Sequence, residues 1–146
     1  MAVRFNPPSG WPQKGRAFNH GVAAGEGRTI HITGQVAWDG QGTLIGEEDC
    51  EKQIRQCFSN VENILAAVGG TLSDIVSLTI FFLSAHDLPT IQKVRAEKFT
   101  PENAPASILI QTPGLVIPEL LVELVPLAVI PHARYHDPKW LVPNRP

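Results

Sequence analysis

Little in this chain ties it to an oxidising compartment, a membrane or a nucleic acid. Cysteine is scarce: Cys50 and Cys57 are the only two in 146 residues, seven positions apart in a segment of helical period. On one helix both point the same way two turns apart, which is too far for a disulfide. They read as core thiols of a reducing compartment. There is no basic surplus either. A formal net charge of -2 argues against the strongly basic surface of most nucleic-acid binders, although it leaves room for a local basic patch. No apolar stretch is long enough to cross a bilayer, and the N-terminus carries no apolar run of signal-peptide length. The expectation is a cytoplasmic protein with neither a membrane nor a nucleic-acid partner.

What is present suits one globular domain, with 43% hydrophobic and 18% charged residues. Residues 1–15 hold three prolines, two glycines and a tryptophan without any period, and read as an irregular arm. Three short antiparallel strands follow, at Thr29 to Thr33, Gln35 to Trp38 and Thr43 to Ile45, the last two joined by a tight turn at Asp39-Gly40-Gln41-Gly42. Ile54, Cys57, Phe58, Val61, Ile64, Leu65 and Val68 then recur at helical steps, with acidic residues crowding the start and Gly69-Gly70 closing the end. Ile75 to Leu83 is a β-branched and aromatic strand. A second helix starts near Asp87 and Pro89 and uses Leu88, Ile91, Val94 and Phe99 as its apolar side. Ser107 to Thr112 and Glu119 to Ile130 complete the strands. Pro126 lies inside the last one, where a missing N–H implies a bulge or a free edge.

The order β-β-β-α-β-α-β-β describes an α+β fold, one mixed sheet with two helices on one face. Two helices cover only one side of such a sheet. Yet apolar residues occupy both sides of the central strand: Val76, Leu78, Ile80 and Phe82 on one, Ile75, Phe81 and Leu83 on the other. The uncovered face calls for a partner, and self-association is the simplest one.

Several segments in this order resemble the Rid family of reactive-intermediate deaminases, also called YjgF-type proteins. Phe18-Asn19-His20-Gly21-Val22 is similar to its Tyr-Ser-His/Gln-Ala-Val first strand, and Thr33-Gly34-Gln35 to its Ser-Gly-Gln turn. Gln53 to Gly69 resembles its first helix, Asp74 to Leu83 the strand after it, and Pro118-Glu119-Leu120-Leu121-Val122-Glu123-Leu124 its last strand. The match spans residues 16–130, leaving 1–15 as an arm and 131–146 as a C-terminal extension. The resemblance implies a chorismate-mutase-like fold and a homotrimer with small-molecule clefts between subunits. It also implies hydrolysis of enamines or imines such as 2-aminoacrylate, with no cofactor and no metal. The imine carbon is already electrophilic, so the protein need only hold the acid, position a water and assist protonation.

One departure bears on that chemistry. In active relatives an arginine follows Pro-Ala and forks onto the substrate carboxylate. Here Ser107 follows Pro105-Ala106, and sixteen positions on comes Glu123, a spacing that reads as an arginine replaced in place. Losing a charge-assisted pair costs about 1.5–3 kcal/mol of binding, on the order of ten- to a hundredfold. The expected site therefore joins Glu123, a water-positioning acid, to Ser107 as a substrate contact. Phe18 and Thr33 stand where relatives carry hydroxyl-bearing tyrosine and serine, His20 accompanies them, and Arg16 is the best replacement cation. His31 reads as structural, and His132, His136 and Asp137 are too loosely spaced for a metal. The rival to an enzyme of unusual specificity is a non-catalytic module that binds a metabolite or a protein.

Overall fold

The computed structural model describes residues 1–12 and 15–142. Along the described chain run β1 (Val3–Phe5), β2 (Gly21–Ala23), β3 (Arg28–His31), α1 (Cys50–Ala66), β4 (Ile75–Phe82), α2 (Leu88–Lys98), β5 (Ala106–Gln111) and β6 (Val122–Ile130). The main sheet has the order β3-β6-β4-β5, with β4 and β5 parallel and the other pairs antiparallel, so it is mixed. A separate two-stranded ladder joins β1 to β2.

The sequence of element types is the expected one, and β3 falls on the expected Thr29 to Thr33 strand, but the other two of the first three strands are different segments. One of them, β1, lies in the arm read as irregular. Arg4 anchors it by donating to the carbonyl oxygens of Ala104, at 3.0 Å, and Ser73, at 2.9 Å. The stretches around Gln35 and Trp38, expected as a strand, contribute only single bridges, Gln35 to Leu124 and Trp38 to Leu44. The Asp39 carboxylate accepts from the backbone N–H groups of Gln41 and Thr43 and tightens the turn there, which leaves no length for a ladder.

Helix α1 begins at Asp49, whose side chain accepts from the Lys52 N–H at 3.0 Å. It ends where Gly69 takes a left-handed φ of +85° and the Gly70 N–H returns to the Leu65 carbonyl. Asp87 does not cap α2 with its side chain; a short 3-10 turn precedes the helix, and Ser84 supplies the capping oxygen one turn earlier.

Both helices lie over the sheet face formed by Leu78, Ile80 and Phe82 of β4 and by Val122, Leu124, Ala128 and Ile130 of β6, all buried. A bulge between Ile75 and Ser77 shifts the alternation by one. Ile75 is therefore in the core and Val76 is not, the reverse of the expected assignment. The opposite face carries Phe81, Glu123, Val125, Leu127 and Val129, each half-buried, with Ile108 53% and Ile110 39% exposed at the β5 edge. Pro126 falls at a change of register on the β3 side of β6. Leu124 exchanges both backbone bonds with Gln35, whereas β3 ends at the His31–Leu127 pair with the register one residue off. The missing N–H of Pro126 thus faces the break between them.

The described part of the C-terminal extension folds back on its own chain. Arg134 grips the buried Asp74 carboxylate and donates to the Gly69 carbonyl, while the His136 N–H reaches the Val68 carbonyl. Trp140, Leu141 and Val142 remain exposed.

The start of β6 is set by Gln53, which is fully buried in α1. Its amide donates to the carbonyls of Gly46 and Glu119 and accepts from the Leu121 N–H at 2.8 Å. Gln53→Met fills the same volume but strands these three backbone groups, and it should lower unfolding free energy by about 2–4 kcal/mol in a urea titration.

Candidate functional site

The loop before β5 and the segment before β2 are stitched together by two asparagines. Asn19, buried, donates to the carbonyls of Pro101 (3.0 Å) and Ala104 (2.8 Å), and its backbone N–H reaches Pro105. Its side-chain oxygen accepts from Asn6, whose own oxygen lies 2.8 Å from both the backbone nitrogen and Nδ1 of His20. That relay assigns the proton of a neutral His20 to Nδ1. It leaves Nε2 as a lone-pair acceptor, buried and without a partner among the described residues. Trp11, Phe18 and His20 form an aromatic cluster with ring centroids 4.6 to 5.7 Å apart.

Beneath this cluster, at the β5 edge, is a cavity of about 490 Å³. It draws together four of the six residues expected at the site: Arg16, Phe18, His20 and Ser107. Its wall takes residues from both sheet faces, with Ser107 and Leu109 on the helix side and Ala106 and Ile108 on the other. Thr33 and Glu123 do not line it.

The dominant charge in the cavity is one that sequence reasoning missed. Arg95 of α2 is 2% exposed; its Nη1 donates to Ser107 Oγ at 2.8 Å and its Nη2 to the Gln92 side-chain oxygen. Its Nε has no partner among the described residues, and no carboxylate pairs with it there. Burial, and then the nearby Arg16 charge, push its pKa down to about 10. The guanidinium stays protonated at neutral pH in surroundings that penalise the charge. The signal was present in the sequence: Arg95 is seven residues from Leu88 and four from Ile91, on the apolar stripe of α2.

Ser107 and Glu123 do not meet within one chain. Ser107 pairs with Leu78 in the ladder and faces the helices, whereas Glu123 pairs with Phe81 and faces the other way. Within the single subunit, strand parity puts them on opposite sides of the sheet, and the expected joining is one between subunits. Glu123 is half-buried and makes no hydrogen bond or ion pair among the described residues. It sits against Gly34, where a Cβ would lie 2.8 Å from Glu123 Oε1, so only glycine leaves the carboxylate its place. Thr33 lies beside it in sequence, exposed, in a groove running toward Trp38 and Asn60.

Among the described residues no cluster of His, Cys, Asp and Glu could hold a metal, and no helix is long and apolar enough to cross a membrane. Neither thiol is poised as a nucleophile. Burial first, then nearby acidic charge (Asp87 for Cys50, Glu123 for Cys57), pushes each up to about 12. At pH 8 the thiolate fraction is on the order of one in ten thousand. A chromogenic disulfide reagent should leave the folded protein unmodified at that pH and titrate both cysteines once guanidinium is added.

With this geometry in place, comparison with known proteins gives consistent matches. The family model described as Endoribonuclease L-PSP matches residues 12–130. The 3-aminoacrylate deaminase RutC of Acinetobacter baylyi is 32% identical over 99 residues, covering 68% of this chain and 77% of the relative. A 2-iminobutanoate/2-iminopropanoate deaminase of Dermatophagoides farinae is 27% identical over 73 residues, 50% of this chain and 57% of its own. Among solved structures, the protein of unknown function YyfB of the conserved Rid family from Yersinia pestis superposes with a TM-score of 0.83 at 31% identity, over 88% of this chain and 98% of that one.

Proposed function

The chain belongs to the Rid (YjgF-type) family, whose model is described as Endoribonuclease L-PSP, and from that premise we propose a deaminase-type hydrolase of small enamines or imines. It works as a cytoplasmic homotrimer with a cleft at each subunit boundary. The relatives named as deaminases of 3-aminoacrylate and of 2-imino acids support the reaction class. A half-exposed apolar sheet face, with Ile108 and Ile110 at its rim, supports the assembly.

The observation that carries the chemistry is Glu123, a carboxylate without a partner among the described residues, set in an apolar face beside Gly34. Such a group keeps its full accepting capacity for a water. In the reaction, water oxygen bonds to the imine carbon while the C=N π pair moves to nitrogen. Glu123 takes the released water proton and passes it to that nitrogen. As the carbinolamine collapses, its hydroxyl proton is transferred to nitrogen, the C–N bond breaks and ammonia leaves the carbonyl behind. An enamine first gains a proton at carbon and loses one from nitrogen, which gives the imine. The scheme needs neither metal nor cofactor. A neighbouring subunit completes the cleft, because one chain alone keeps Glu123 and the Arg95 cavity apart.

Ammonia release from freshly generated 2-aminoacrylate and 3-aminoacrylate tests the reading. Glu123→Gln should slow release by about a hundredfold or more with the melting temperature unchanged. Wild-type protein no faster than buffer would abandon the enzyme in favour of a non-catalytic metabolite- or protein-binding module. A monomer mass by light scattering at micromolar concentration would remove the trimer.

A further inference from the structure

Arg95 poses a question that the fold does not answer. A guanidinium 2% exposed, with no acid beside it, weakens a native state unless it is used. Its neighbours stabilise it with neutral groups only: the Ser107 hydroxyl, the Gln92 amide oxygen and the Phe18 ring face, 5.9 Å away. A second buried polar atom without a partner among the described residues, His20 Nε2, belongs to the same cavity. The two orphaned buried atoms of the described chain thus sit on residues lining one space. Among the described residues, the ionisable groups around that space are Arg16, Arg95 and His20, and none that lines it is acidic.

We infer that this cavity is a carboxylate site built on Arg95, and that its ligand is a small monocarboxylate with a flat, unsaturated or aromatic body. The guanidinium supplies the charge. Nε and the N–H hydrogens of Nη1 and Nη2 not used by Ser107 and Gln92 are its free donors. The Ser107 hydroxyl accepts from Arg95 and has no acceptor for its own hydrogen among the described residues, so it adds a neutral donor. Ser107 is in this way a relay that orients Arg95 rather than a gap where a cation is missing. Trp11 and Phe18 provide aromatic walls suited to a planar ligand body. Gln92 fixes the second nitrogen, so the fork presents one edge to the cavity.

The inference rests on the proposed function for the identity of the natural ligand, but binding of a stable carboxylate requires no turnover. Benzoate and its uncharged isostere benzamide are the probes, titrated calorimetrically into wild-type protein and Arg95→Met. Benzoate should bind wild type roughly tenfold or more tighter than benzamide does. Arg95→Met should bring benzoate down to the benzamide level while keeping or raising the melting temperature, since it removes an uncompensated buried charge. In wild type, the Arg95 Nε–Hε resonance should move on adding benzoate and stay in place with benzamide. That reading does not depend on the variant folding. Equal affinity for the two probes, an unmoved Arg95 resonance, or a folded Arg95→Met that keeps benzoate affinity would each overturn the site. Benzoate bound through Arg95 without enamine hydrolysis would sink the enzyme reading alone; hydrolysis without benzoate binding would sink this one alone.

Discussion

The alternation of β6 divides the molecule into its two chemical halves. From Val122 to Ile130 every second side chain is sealed under the helices, and the residues between face outward. Side-chain period in a strand is two, so a slip of one residue would put Glu123 in the core and Leu124 outside. Gln53 guards against that slip, because its amide holds the chain at Glu119 and Leu121 just before the strand starts. The bulge at Ile75–Ser77 lies opposite Leu127 and Ala128, toward the far end of the strand. It absorbs the irregularity there and leaves the register around Glu123 intact.

A consequence of that division is that two unpaired charges coexist in one small domain. Glu123 and Arg95 would attract each other strongly if they shared a face, and each would then satisfy the other. The sheet stands between them. Each keeps its hydrogen-bonding capacity at a cost in stability, which is the pattern expected where polar groups are held for a ligand rather than for the fold. By contrast, apart from His20 Nε2, the buried polar side chains of the described chain are locally paired: Asp74 with Arg134, Asn19 with two carbonyls, and Gln53 with three backbone groups.

Helical periodicity and turn chemistry made α1, β4 and the α+β class legible, because their apolar stripes and glycine stops act locally. The family resemblance added the sheet architecture. What escaped was governed by pairing at a distance. Val3–Phe5 is a strand only because Gly21–Ala23 lies beside it and Arg4 finds carbonyls 100 and 69 residues further along the chain. The bulge after Ile75 inverts two side chains and leaves no mark in the local pattern. At the site, the spacing from Ser107 to Glu123 is a fact about chain length and says nothing about which sheet face each residue takes. Arg95 was overlooked for a different reason: a charged residue on an apolar stripe is commonly read as a stem that reaches out to solvent. Here the Ser107 hydroxyl and Gln92 give its head a reason to stay inside.

That arrangement changes the weight of the serine after Pro105-Ala106. Taken alone, exchanging arginine for serine on the strand removes a cation, with the penalty such a loss carries. With Arg95 held against Ser107 Oγ, the cation comes from α2 instead. A guanidinium approaching from the helix side cannot occupy the position of one projecting from the strand, so an anion bound to it takes a different place and angle in the cavity. A strand arginine at position 107 would bring a third positive charge beside Arg95 and Arg16, where burial and the Arg16 charge already depress the pKa of Arg95. The small hydroxyl and the helix arginine fit together: serine leaves space for the guanidinium and accepts from it, and under the inferred site the guanidinium would supply the charge that a neutral serine lacks. In the proposed trimer, selectivity would follow from where Arg95 holds a carboxylate relative to Glu123 of a neighbouring subunit, and ligands that share a carboxylate but differ in length or planarity would separate on that distance.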